Sequence, residues 1–129
     1  MPVNNQLERK ELKTVDLFMD FTVGASGAPT LKATNSIGIK SITRNSTGNY
    51  TIVLADRYVR CLNVCETLVS TAPAAPVMSV TSIANVNGSV TPLAPSLTVQ
   101  FQTPTGTATD PASGEEILIA IQLSRSVGA

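Results

Sequence analysis

Thr14-Val15-Asp16-Leu17-Phe18-Met19-Asp20-Phe21-Thr22-Val23 is the stretch that decides the fold class. Val15, Leu17, Met19, Phe21 and Val23, with Phe18 among them in sequence, give an apolar face that is otherwise odd-numbered, and Asp16, Asp20 and Thr22 fall on the other side. A period of two over ten residues describes a strand with one buried face, not a helix. Two glycines and a proline in Gly24-Ala25-Ser26-Gly27-Ala28-Pro29 then break it.

The same grammar recurs downstream. Ile37, Ile39 and Ile42 on one arm and Tyr50, Ile52 and Leu54 on the other predict a hairpin, with Arg44-Asn45-Ser46-Thr47-Gly48-Asn49 as its turn. The parity change between Ile39 and Ile42 predicts a bulge. Ala55 to Leu62 breaks the alternation and reads as one or two helical turns, with Asp56 as N-cap. Alternation resumes at Leu62, Val64, Glu66 and Leu68, Pro73 and Pro76 punctuate the exit, and Val77–Val86 gives a further strand of mixed parity before the Asn87-Gly88 turn. Leu97, Val99 and Phe101 form a strand expected to pair with Ile117, Ile119, Ile121 and Leu123. Between them lies the polar loop Thr103 to Glu116, and a loop of that length is expected to be functional or disordered. Seven or eight short strands, a single short helical segment near 55–62 and no repeat predict an all-β antiparallel β-sandwich, jelly roll or small barrel. The domain runs over 14–129, preceded by an N-terminal arm, residues 1–13, ordered on a neighbour.

Composition narrows function. The chain has 129 residues, no histidine and no tryptophan, 14% charged residues and zero formal net charge. A Ser-His-Asp or Cys-His arrangement is therefore impossible within one chain, and neutral charge argues against duplex DNA and anionic membranes as partners. Three phenylalanines and two tyrosines without a basic excess are poor material for single-strand nucleic-acid binding. Residues 1–13 lack the apolar region of a secretory signal, and no apolar run approaches the ~20 residues of a membrane helix, so the expectation is a soluble protein made in a cytoplasm. No phosphate-cradling glycine motif occurs.

The remaining titratable groups read as surface or interface. Asp16 and Asp20 share a strand face and are expected to be solvated or partner-facing. Asp110 with Glu115 and Glu116 offers too few oxygens for calcium. Cys61 and Cys65 are expected to be reduced, buried or half-buried residues, with an inter-subunit metal or disulfide as the alternative. Arg57 and Arg60 flank Tyr58, which is either an interface cluster or a tyrosine covering one end of the sandwich between solvated arginines. Asn45-Ser46-Thr47, Asn49-Tyr50-Thr51 and Asn87-Gly88-Ser89 match the glycosylation pattern but read as turn chemistry. The candidate interface residues are Leu7, Arg57, Tyr58, Arg60, Thr105, Thr107, Asp110 and Glu115. Neither catalytic residues nor a cofactor or metal site is expected.

The run Ser41 to Tyr58, with the form I-T-R-x-S-T-G-x-Y-T-I-x-L-x-D-x-Y, resembles small structural proteins of tailed bacteriophages. Together with Asp110-Pro111-Ala112-Ser113-Gly114-Glu115-Glu116 and the strand Ile117–Ser124, it is most similar to capsid decoration, or cement, proteins. The resemblance spans roughly Ile37 to Arg125. It implies a β-rich, often jelly-roll-like homodimer or homotrimer on the capsid exterior of a virion, synthesised in the host cytoplasm. There it would bridge neighbouring major capsid proteins and reinforce the shell. The arm and the Thr103–Glu116 loop would be its capsid-contacting or inter-subunit elements. Rival readings are a tail or head-fibre component of the same virion and a small carbohydrate-binding or adhesion β-sandwich, the latter disfavoured by the absence of tryptophan.

Overall fold

The opening alternation becomes strand β1 (Thr14–Val23), and Leu17, Met19, Phe21 and Val23 are buried along it. The structure, a computed structural model, describes residues 14–69, 77–88 and 94–124. The expected N-terminal arm, and Leu7 with it, lies outside the described residues. The other strands are β2 (Pro29–Leu31), β3 (Ile39–Ser46), β4 (Asn49–Leu54), β5 (Arg60–Val69), β6 (Val77–Ser82), β7 (Ser96–Gln102) and β8 (Glu116–Ser124). They form two four-stranded sheets, ordered β2-β1-β8-β5 and β3-β4-β7-β6, and every pairing is antiparallel. The chain is an all-β sandwich.

The core lies between the two inner strands of each sheet. Ile117, Ile119, Ile121 and Leu123 of β8 join the odd residues of β1, and Tyr50, Ile52, Leu54 of β4 face them with Leu97, Val99 and Phe101 of β7. Each large side chain so buried contributes about 1.5–3 kcal/mol. The outer strands alternate less cleanly, because one of their edges and part of their inner face meet solvent.

The hairpin β3–β4 has the predicted turn, and its register shifts between Ile39 and Ser41, where a bulge was expected. Asn45 donates to the Asn49 and Thr51 side chains at 2.8 and 2.7 Å, which is turn chemistry. Ile37 does not belong to this hairpin. It exchanges backbone hydrogen bonds with Phe18 on β1.

Three expectations are corrected. Residues 55–62 form no helix: Tyr58 N–H donates to Val86 C=O at 3.0 Å and Val59 N–H to Ser124 C=O at 2.8 Å, so the segment runs across the end of the sandwich and enters β5 at Arg60. The Tyr58 and Val59 N–H groups are thus satisfied by distant backbone and are not free for a helical turn. The short helical pieces are instead 3₁₀ turns at Ala25–Gly27, Ala33–Asn35 and Ala84–Asn87, the last ending the sixth strand at Ser82. Finally, β7 and β8 do not pair. They lie in opposite sheets and face each other across the core, so the connection between them changes sheets.

Candidate interaction surface

On the outer face of the β2-β1-β8-β5 sheet the register lines up Cys65, Ala120, Phe18 and Ile37 in one row across four segments of chain. Phe18 is 39% exposed and Ile37 68%. The next row is polar, with Asn63 and Asp16 flanking Gln122. Ala120 is the small residue among them, and a groove of about 330 Å³ opens between Asp16, Phe18, Asn63, Ala120 and Gln122. An aromatic ring beside a hollow with a polar rim has the anatomy of a protein-binding spot.

Beside it lies a buried polar cluster. The chain after β2 runs on along the edge of β1: Lys32 N–H bonds Asp20 C=O at 2.8 Å, and Asp20 N–H donates to Ser36 Oγ at 3.1 Å. This strap leaves Asp20 only 4% exposed, which overturns its expected place on a solvated or partner-facing strand; Asp16 is the exposed one. Asn35 Nδ2 donates to Asp20 Oδ2 at 3.2 Å, and Lys32 pairs with Glu116 at 2.8 Å. Burial, then the hydrogen bond shared with Glu116, pushes the Asp20 carboxyl above its ordinary range. Lys32 and Asp20 hold Glu116 below its own.

The sign follows from linkage. A raised folded-state value makes Asp20 contribute stability below its unfolded pKa, and that contribution is lost as pH rises through the folded value. Asn has the same shape, accepts from Asn35 and donates to Glu116 without ionising. Asp20→Asn is expected to raise the thermal midpoint at pH 7 relative to wild type, with the gain shrinking as pH falls into the ordinary carboxylate range. A variant less stable at pH 7, or a gain independent of pH, would refute this account.

The loop Thr103–Glu116 is ordered, not disordered. Asp110 accepts from Arg44 Nε at 3.0 Å and Nη2 at 2.8 Å, and from the Gly48 N–H at 2.7 Å. Arg44 accordingly holds the Asp110 carboxyl below the usual range. Thr109 N–H bonds Phe101 C=O at 3.0 Å, and Gln102 bridges Ala108. The tip, which carries Thr105 and Thr107, stands in solvent, as does Ala112–Gly114 further on, and the tip is knit by Thr107 N–H to Thr103 Oγ1 at 3.2 Å and by the 2.9 Å contact of the Thr103 and Thr105 hydroxyls.

The remaining sequence-predicted residues are scattered. Tyr58 is buried and packs in the core. Arg57 is exposed and reaches the Asn87 and Gly88 carbonyls at 3.2 Å. Arg60 is exposed opposite Ser124, and Glu115 is buried behind the loop. Asp110 therefore acts as an anchor for the loop, and Thr105 and Thr107 are its presented surface. Cys61 is buried and Cys65 exposed, both free, on opposite faces of β5. Among the described residues no group of three or more acidic, cysteine or histidine side chains is placed to hold a metal ion, and no helix is long and apolar enough to cross a membrane. Phe18, Ile37 and Ala120 were missed as site residues. The available signal was Phe18 itself, an aromatic at an even position in an otherwise odd-numbered apolar row. Comparison of the chain with protein-family models, with curated proteins and with solved structures gives no match.

Proposed function

We propose that this β-sandwich is a non-enzymatic virion structural protein that binds the outer surface of a bacteriophage capsid and stabilises it by bridging major capsid proteins. The observation that carries this reading is the exposed Phe18–Ile37 row beside the Ala120 hollow, on the outer face of one sheet of a protein with zero formal net charge. Contiguous exposed apolar surface with a polar rim marks a protein contact. Repetition over a shell multiplies a modest affinity, since each bridged site raises the effective concentration of the next. The anchored Thr105–Thr107 tip offers a second, polar contact. The resemblance of Ser41–Tyr58 to decoration proteins supplies the partner, and the same resemblance supports assembly as a homodimer or homotrimer.

The test is binding to capsids of the parent phage assembled without this chain. Wild-type protein is expected to bind saturably and to raise the temperature at which the shells release DNA. Ala120→Arg, which fills the hollow from an exposed position, is expected to weaken binding at least tenfold with an unchanged circular dichroism spectrum. Absence of saturable binding by the wild type, or full binding by Ala120→Arg, overturns the reading. Binding to a glycan array or to purified tail fibres instead would favour the rival readings.

A further inference from the structure

The groove over Ala120 lies across two rows of the outer face. Asp16 on β1, Gln122 on β8 and Asn63 on β5 form one row, and Phe18, Ala120 and Cys65 form the next. Asp16, Phe18, Asn63, Ala120 and Gln122 all stand in solvent, and Asp16 is the charged residue among those that line the groove. Its volume of about 330 Å³ holds roughly ten waters at about 30 Å³ each, which is room for one whole side chain of a partner.

The polar row has acceptors to offer. A carboxylate such as Asp16 only accepts, and among the described residues neither Asp16 nor Gln122 hydrogen-bonds or ion-pairs through its side chain. Asn63 turns its amide nitrogen onto Cys65 Sγ at 3.3 Å, which leaves its Oδ1 for a ligand. A cation that donates hydrogen bonds therefore suits the row. The exposed ring of Phe18 beside it gives a planar cation a face to stack on. Arginine's guanidinium is such a group: flat, weakly hydrated, and furnished with N–H donors only. Lysine's ammonium is a strongly hydrated point charge that cannot meet a row of acceptors in one plane. Sugar hydroxyls donate and accept together. With the Asn63 nitrogen engaged, the Gln122 amide is the one donor these three side chains have left for them.

We propose that this groove is a subsite for an arginine side chain of a partner protein. Its guanidinium lies over Ala120 against the Phe18 ring and donates to Asp16, with the Gln122 and Asn63 amide oxygens accepting its remaining N–H groups. The inference rests on the reading of this face as a protein contact, and it names the chemistry of that contact. Arginine seated in a pocket is a common centre of binding energy at interfaces, with near-neutral contacts around it that exclude water. A lysine in its place leaves acceptors of the row without a donor. Ala120 also gains a role, since a longer side chain there would occupy the groove itself.

The probe is N-acetyl-arginine amide, titrated into isotope-labelled full-length protein and followed by NMR at the backbone amides of Phe18, Ala120 and Gln122. Saturable shifts confined to this face are expected, with an affinity about threefold or more above that of N-acetyl-lysine amide. Asp16→Asn and Phe18→Leu change exposed positions, and each is expected to weaken binding about threefold or more with the rest of the spectrum unchanged. Ala120→Arg brings its own guanidinium into the groove and is expected to abolish the response. No saturable shift, equal affinity for the lysine derivative, or undiminished binding by either weakened variant overturns the assignment. Tighter binding of methyl glucoside at the same amides does so too. The two readings of this face fail separately. Arginine binding by a protein that does not bind capsids removes the capsid reading and leaves the subsite, whereas capsid binding with no arginine response removes the subsite alone.

Discussion

Replacing Gly48 by alanine is expected to destabilise the protein by roughly 3–5 kcal/mol, a large part of the stability of a domain this size. Gly48 closes the β3–β4 turn with φ +72°, a left-handed conformation that costs a residue with a Cβ about 1–2 kcal/mol. Space is also lacking. A Cβ there would run into the Phe101 carbonyl oxygen and come within 2.9 Å of Thr109 N and O, all backbone atoms that cannot swing aside. Relief by backbone movement costs a further ~1–3 kcal/mol. It would also stretch two bonds that converge on this residue: Phe101 N–H to Gly48 C=O and Gly48 N–H to Asp110 Oδ1, both 2.7 Å. Each is worth about 1 kcal/mol. Gly106 separates the two causes. Its φ is +94° but nothing lies within 4 Å of a Cβ, so Gly106→Ala should lose only the conformational part. Urea unfolding of both variants checks this, and equal losses would show that the packing of hairpin against loop contributes nothing.

The same residue shows what a sequence reveals. Alternation at 14–23 and 117–123 was legible because these are inner strands, whose one face is wholly buried and whose pattern is therefore strict. The hairpin turn and its bulge were legible because Gly48 and the parity shift are local. What failed was non-local. The Arg57-Tyr58-Val59-Arg60 run mimics a short amphipathic helix, yet its two central N–H groups, of Tyr58 and Val59, bond to Val86 and Ser124. The β7 and β8 patterns look like a hairpin because they are neighbours in sequence, whereas the intervening loop carries the chain from one sheet to the other. Asp20 is on the outer face, as its parity says, but a strap at 32–36 covers it, and period-two counting has no access to a covering segment. The Arg44–Asp110 pair joins residues 66 apart, which turns a polar loop into an anchored one. Of the candidate interface residues, Thr105 and Thr107 stand in solvent as a polar loop tip should, while Tyr58 is buried because its ring fills the end of the core.

Tyr50 joins the core to that anchored loop, and its two truncations should differ in size and in cause. The ring is fully buried, edge-on to Phe101 with centroids 5.5 Å apart and tilted against Phe21 at 6.3 Å. Its hydroxyl donates to Gly27 C=O at 2.6 Å, inside the 3₁₀ turn that follows β1. Burial, with the charge of Asp110 nearby, pushes the phenol up to about 12, so it remains a neutral donor across the working pH range. Tyr50→Phe keeps the packing and leaves a buried carbonyl without its donor, a loss of about 1–2 kcal/mol. Tyr50→Ala also opens a cavity between the sheets, and about 3–5 kcal/mol is expected in all. Both losses should be constant between pH 6 and 9, because the group removed does not titrate there. Denaturant unfolding at several pH values tests this. A Tyr50→Phe variant as stable as wild type would mean that solvent satisfies the Gly27 carbonyl. The tie from the core through Gly27 to the Asp110-anchored loop would then be packing alone.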